Sequence, residues 1–433
     1  MIHCGMKNTY TKRSAVVLVL GVVVLTARPV PAHHGFANFD LNTEIEIAGA
    51  VKELVFVNPH SWLYLDVAGE DGRVTTWKCE LRGATVLRRS GWSPAMFARG
   101  TRLTITGAPD RFEPNTCYLG TVVFDNGTRI DRYGQITQAA ATAKPVTQPR
   151  RLPDGRPDFS GEWAAEQRVL TDPRGMSGAF LPISVAERLE PGAVPEGTQA
   201  FPGTRGSEVA AAKDPIAAFW NRPSARPLTA AGARAIEGFD GASTDNPRLR
   251  CEPTSILFDW TFESDVNRIR QERDRITLIY GSMGLERTIH LNLRDHPSDP
   301  VPSRAGHSIG RWDGDVLIVD TVGFAPGILS ADARVPHSDR LHVVERFWLD
   351  AATGALRRSY EAEDPQYFEG KFTGADAVFV SDVPYQATPC DDRSFKAAAD
   401  RGTARWMMWA VGGLAAVPLL WWSIARRRRG RAV

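Results

Sequence analysis

The chain has nine histidines in 433 residues, few enough for their positions to be informative. His33 and His34 stand together directly after Ala32. Ala32 and Val30 occupy the −1 and −3 positions of an export-type cleavage site. A chain cut there begins with histidine, and a free α-amino group plus the first imidazole can chelate one Cu(II) in tetragonal nitrogen geometry. His60, in Asn-Pro-His ahead of an apolar run, is the candidate third ligand, with His34 as the alternative. Copper is thus the one cofactor these residues suggest. The plainer reading is a solvated N-terminus and a turn histidine packed on Trp62.

The second half carries His290, His296, His307, His337 and His342. His307, His337 and His342 offer a zinc or copper site, and with Glu345 they are the candidate site for an enzyme acting on a small or polymeric substrate. The plainer reading makes them loop residues hydrogen-bonded beside a β core. His337 and His342 straddle the start of a strand and do not share a face by simple alternation. Glu345 falls on the same face as Leu341, Val343, Phe347 and Leu349. A carboxylate there must be paired or protonated, because an isolated buried charge is very costly. Arg311 or Arg287 is the expected partner, in a structural lock. Gly306-His-Ser-Ile-Gly310 spells the nucleophile-elbow pattern, which needs a strand before the serine and a helix after it. A proline-rich loop precedes it and a hairpin follows, so Ser308 is not expected to be a nucleophile. The spacing of Asp313, Asp315 and Asp320 does not fit a calcium loop.

What positions these residues depends on the compartment. Lys7, Lys12 and Arg13 precede the apolar run Ala15–Ala27, so residues 1–32 read as a signal peptide. Trp406–Ala425 is a stretch without charge, long enough as a helix to span a bilayer, with tryptophans near both ends. Arg426–Arg429 begin a basic tail over 426–433, which the positive-inside rule keeps cytoplasmic. The expectation is a single-pass inner-membrane protein with its ectodomain in the periplasm. Between the two ends, residues 33–400 carry 41 basic and 50 acidic side chains, a net of −9. Nucleic acid is therefore not an expected partner. Four cysteines remain after the signal, an even number that suits disulfides in an oxidising compartment. A domain boundary places two in each half, which predicts Cys79–Cys117 and Cys251–Cys390. No Cys-x-x-Cys occurs, which argues against thiol redox catalysis.

That boundary is an Ala/Thr/Pro linker over 137–151. Ahead of it, alternating runs predict strands over 44–57, 62–68, 73–81, 101–107, 116–124 and 128–131. Helical stretches fall at 83–90 and 94–98. Three strands, a helix and two strands is the order of an OB-like five-stranded barrel, expected over 33–136. Residues 152–250 show little periodicity. Runs at 258–263, 276–281, 285–293, 307–312, 316–322, 341–349, 356–362 and 377–383 predict a larger antiparallel barrel or sandwich over 152–395. The chain is expected to be mainly β, plus the C-terminal transmembrane helix.

AHHGFANFD at 32–40, NPHSW at 58–62 and RRSGW at 88–92 resemble an exported bacterial domain of unknown function, written AHHSF…NPHxW…RRGW. LPDGRPDFSGEW at 152–163, GHSIGRWDGDVLIVDTVGF at 306–324 and PHSDRLHVVERF at 336–347 resemble a second exported family, with GHSxGRWxGDTLVVDT at its centre. Neither resemblance implies a reaction. The His33, His34 and His60 set resembles the histidine brace of copper carriers and lytic polysaccharide monooxygenases. Phe159-Ser-Gly-Glu-Trp163 resembles the Gly-x-Trp opening of lipocalin-type barrels, which implies a ligand-holding barrel. The function expected is binding in the cell envelope, with a periplasmic enzyme or a small-ligand barrel in the second half as the rival.

Overall fold

The computed structural model describes residues 38–133, 151–213, 218, 223–241, 245–262, 265–330, 334–387 and 390. The expected signal peptide, His33, His34, the expected linker and the 406–425 run lie outside these residues, save Arg151. Among the described residues no helix is long and apolar enough to cross a membrane. The fold is mainly β: a closed five-stranded barrel followed by a closed nine-stranded one, both within a single compact unit over 33–395.

The first barrel comprises β1 (Ile45–Val55), β2 (Trp62–Ala68), β3 (Val74–Glu80), β4 (Arg102–Pro109) and β5 (Thr116–Phe124), with β6 (Arg129–Asp131) added at the β5 edge. Helix α1 (Ala84–Arg89) lies between β3 and β4. The strands pair in the order β3-β2-β1-β4-β5, and a parallel β3–β5 pairing closes the ring. Ile47, Val51, Leu63, Leu65, Leu103, Ile105, Leu119 and Val122 fill its interior. Period-two patterning therefore turns directly into a core here. At the β4–β5 bulge, a Cβ on Gly107 would come within 2.2 Å of the Tyr118 carbonyl. Only glycine permits the approach that seats Tyr118.

Cys79 and Cys117 are register partners across the closing β3–β5 seam and form a disulfide. A second disulfide joins Cys251 to Cys390. Both expected pairings are present. Bridges closing loops of this size typically contribute ~2–4 kcal/mol. Cys79→Ala/Cys117→Ala is expected to lower the thermal midpoint of the folded chain by several degrees. Reductant should lower the native midpoint at least as far, since it also opens Cys251–Cys390, and should lower that of the variant by less. An unchanged midpoint in the double variant would mean that the seam holds without its bridge.

The second barrel runs β10 (Val266–Gln271), β11 (Arg275–Ile279), β12 (Glu286–His290), β13 (His307–Asp313), β14 (Val316–Val322), β17 (His342–Leu349), β18 (Leu356–Glu363) and β19 (Lys371–Val380), and β7 (Gly161–Ala164) closes it. Two small ribbons lie outside the ring: β8 (Arg168–Leu170) with β9 (Phe180–Pro182), and β15 (Gly327–Ser330) with β16 (Val335–His337). Trp163 of β7 is buried and donates its indole N–H to the Phe159 carbonyl at 2.8 Å.

The strand expected at 258–263 is not one: residues 256–260 are turn. The apolar run looks extended, but Asp259 Oδ2 accepts from the Thr254 and Ser255 amides at 2.6 and 3.1 Å. Arg358 from β18 takes the Ile256 and Leu257 carbonyls, each at 3.0 Å. Side chains thus supply the partners that a ladder would have supplied. Little of 152–250 is regular, as its lack of periodicity suggested. It is bonded to both halves instead: Arg82 Nη2 donates to the Arg168 carbonyl, Arg89 Nη1 to the Ala165 carbonyl and Arg205 Nε to the Leu41 carbonyl, and Arg226 Nη2 donates to the Lys371 carbonyl of β19.

Candidate functional site

Asn-Pro-His at 58–60 forms the loop between β1 and β2, with a cis peptide bond before Pro59. The loop is clamped against the start of α1. Asn58 Nδ2 donates to Thr85 Oγ1 at 3.1 Å, and the Ser61 amide donates to the Arg82 carbonyl at 3.1 Å. His60 is thereby held beside the last residue of β3, with Nδ1 3.0 Å from Glu80 Oε1. Glu80 is buried. A buried carboxylate on one ring nitrogen fixes the tautomer and orientation of the ring.

Two arginines flank this pair. Arg132, just past β6, is 5% exposed and Arg82, two residues past β3, is 7% exposed. Arg132 Nη1 donates to the Glu80 and Leu119 carbonyls at 2.7 and 3.2 Å, and its guanidinium lies 3.7 Å from the Tyr118 ring centre. Its Nε is buried without a hydrogen-bond acceptor among the described residues. Arg82 lies over the Tyr133 ring at 4.6 Å. Burial pushes the Tyr118 phenol well above its ordinary value, Arg132 opposing, so the ring stays neutral.

These residues form one wall of a cavity of about 470 Å³. The facing wall belongs to the second half: Arg168, Phe180 and Phe201, the turn residues Phe258 and Phe262, and Tyr360, Phe372 and Asp376 from the barrel mouth. Phe180 and Phe201 have ring centres 4.8 Å apart. Burial draws the Arg168 guanidinium below its ordinary value, Glu166 opposing. Glu80 and Asp376 are the carboxylates among the lining residues. Glu80 sits 4.0 Å from Arg132 but 3.0 Å from His60, and Asp376 is held by Arg358. The cavity is aromatic, with an excess of positive charge.

The residues expected to form a second-half site do not come together as a group. His307 and His342 lie on the outer wall of the second barrel, and His337 does not join them. His337 is buried between β15 and Phe324, its Nδ1 on the Ser338 carbonyl, and burial draws it below the ordinary imidazole range. The cluster on the wall instead recruits His290, His296 and Asp320. His296 Nδ1 is 2.8 Å from His307 Nδ1, and His296 Nε2 is 3.0 Å from Asp320 Oδ1. His342 Nε2 is 3.1 Å from both Asp320 oxygens, and the His290 ring stacks on His307. Among the described residues, no three His, Cys, Asp or Glu side chains are arranged to hold a metal ion.

Glu345 faces inward and is fully buried. Its partner is Arg287, at 2.5 Å, and not Arg311, which lies on the exposed face. Arg358 approaches the other carboxylate oxygen at 3.3 Å and extends the chain to Asp376. Ser308 lies within β13 and accepts from Arg287 Nε at 2.9 Å, a lock residue on a strand rather than an elbow. Glu80, Arg82, Arg132 and Arg168 were not singled out from sequence. The available signal was a charged pair around Leu81 and an arginine directly after Ile130-Asp131, in otherwise apolar surroundings.

With this geometry in hand, a family of unknown function, DUF6152, matches residues 21–117. The match takes in His33, His34, the Asn-Pro-His loop, Glu80, Arg82 and both cysteines of the first bridge. Arg132 and the whole second barrel lie beyond it. No curated protein and no solved structure matches the chain.

Proposed function

We propose that the chain is an inner-membrane protein whose periplasmic ectodomain binds a small organic anion in the cavity between its two barrels. The export-type leader, the uncharged 406–425 run with arginines behind it, and two disulfides support the location. The observation that carries the binding reading is Arg132, nearly buried in the cavity wall, whose Nε has no acceptor among the described residues and whose nearest carboxylate, Glu80, lies 4.0 Å from it but 3.0 Å from His60. A buried charge needs a counter-charge. A planar acid supplies one in the geometry that arginine prefers. The volume and the aromatic lining are those of small-molecule sites.

The test uses 2-naphthoate as probe against its neutral alcohol analogue, by calorimetry on the ectodomain. The acid is expected to bind saturably and at least about tenfold more tightly than the alcohol, a difference of ~1.4 kcal/mol. Arg132→Met should erase that preference. Equal binding of acid and alcohol, or no binding of either, overturns the reading.

Copper held by His33, His34 and His60 is the second reading, favoured by the carboxylate that orients His60. One residue added ahead of His33 should abolish Cu(II) binding and leave the naphthoate titration unchanged.

A further inference from the structure

In the second barrel β12 and β13 are the one parallel pair of neighbours, and they share just two register pairs, Ile289 with Ser308 and His290 with Ile309. Parallel neighbours need a crossover connection rather than a tight hairpin. Residues 291–306 make that crossing without helix or strand. The crossing is fastened near its ends. The Leu291 amide donates to the Asp274 carbonyl at 2.8 Å, and the Ser303 amide to the Gly323 carbonyl at 3.2 Å. Between those ends His296 is bonded on both sides, to His307 of β13 and to Asp320 of β14.

The polar order of this chain follows from its geometry. Asp320 is an acceptor, so His296 Nε2 and His342 Nε2 both carry hydrogen. His296 Nδ1 is then a lone pair, and His307 Nδ1–H donates to it. Every contact is satisfied with neutral rings. We propose that this imidazole chain is an acid-released clasp, which fastens the 291–306 crossing to the barrel wall at neutral pH and lets it go when the histidines are protonated.

One carboxylate, Asp320, faces both His296 and His342. Glu363 from β18 faces His342 as well, with Lys371 from β19 opposing it. The bond to Asp320 holds His342 above the ordinary imidazole range, so a first proton is accommodated. His307 is different. Burial, and then His296 and His290, hold it below the ordinary range. Once His296 and His307 both carry two hydrogens, their Nδ1 contact has two donors, no acceptor and like charge. The His290 ring stacks on His307 beside that contact, with ring centres 5.1 Å apart. This device is independent of the cavity reading, since none of its residues lines the cavity.

Amide exchange of the whole ectodomain, followed by mass spectrometry, tests it. After correction for intrinsic rates, amides over 292–302 are expected to exchange at least about tenfold faster at about pH 4.5 than at about pH 7.5. Those of β14 and β17 should stay protected at both. His307→Asn should flatten the pH dependence of 292–302, whether it leaves the segment closed or open. His290→Gln keeps the bonded chain and should move the release to higher pH. Equal protection of 292–302 at the two pH values overturns the proposal. So does a His307→Asn protein that releases the segment with the native pH dependence.

Discussion

Glu345→Ala is expected to lose ~3–5 kcal/mol of unfolding free energy, the range for breaking a buried ion pair from one side. Glu345 is the shared acceptor for two guanidiniums that are both fully buried. Without it Arg358 keeps Asp376 and two backbone carbonyls, whereas Arg287 keeps neutral hydroxyls, those of Ser308, Thr321 and Tyr280. The cost therefore falls on Arg287. Removing both ends of the pair should be milder: Arg287→Met/Glu345→Leu replaces two desolvated charges with apolar side chains of comparable volume. Denaturant unfolding of Arg287→Met, Glu345→Leu and the double variant measures the coupling. The double variant is expected to be more stable than Glu345→Ala. If it is less stable, the pair contributes net stability and the asymmetry argument fails. For a domain of typical stability, ~5–15 kcal/mol, the single loss is a large fraction of the whole.

Glu345 shows what kind of information a sequence holds openly. One charge on an otherwise apolar face of a strand must find a partner, and Arg287 was one of two arginines named for it. The disulfides were readable for a similar reason, because compartment and domain halves leave few pairings. The first barrel is legible because turn residues bound its runs and β4 alternates, with Leu103 and Ile105 buried between Arg102, Thr104 and Thr106. The turn at 256–260 was not, because its apolar run has the composition of a strand. What decides against a strand is Asp259 capping its own segment and Arg358, a hundred residues away, taking the carbonyls. The cavity was invisible for a topological reason. Its lining comes from the loop after β1, the ends of β3 and β6, β9, the 256–262 turn and the mouth strands β18 and β19. No local pattern ties Arg132 to Phe258. The histidine cluster is hidden for the same reason: His296 reaches His307 and Asp320 from the crossing between β12 and β13, which no local pattern announces.

The turn also sets the second large effect. Asp259 is fully buried, and burial pushes its carboxyl up to about 7, against the opposing pull of Arg248 and of the two backbone amides it accepts. In the unfolded chain the group titrates near the ordinary aspartate value, ~3.9. Below that value both states hold the proton, and the group has no effect on stability. Between there and about pH 7 the unfolded chain gives up its proton while the folded one keeps it, so stability falls as pH rises. About three pH units at ~1.4 kcal/mol each make this a loss of roughly 4 kcal/mol, complete above about pH 7. Asp259→Asn keeps an acceptor for the Thr254 and Ser255 amides and removes the titration. Unfolding free energies should therefore converge for the native and variant proteins near pH 4 and diverge toward pH 8, with the variant more stable there. Comparing the two cancels every other titrating group, including the histidine cluster. Parallel curves would mean that Asp259 stays ionised in the fold and that Arg248 outweighs its burial. The same turn supplies Leu257, Phe258, Thr261 and Phe262 to the cavity wall. Naphthoate affinity in the native protein should accordingly weaken above about pH 7, as an ionised Asp259 loosens that wall, and stay level in Asp259→Asn.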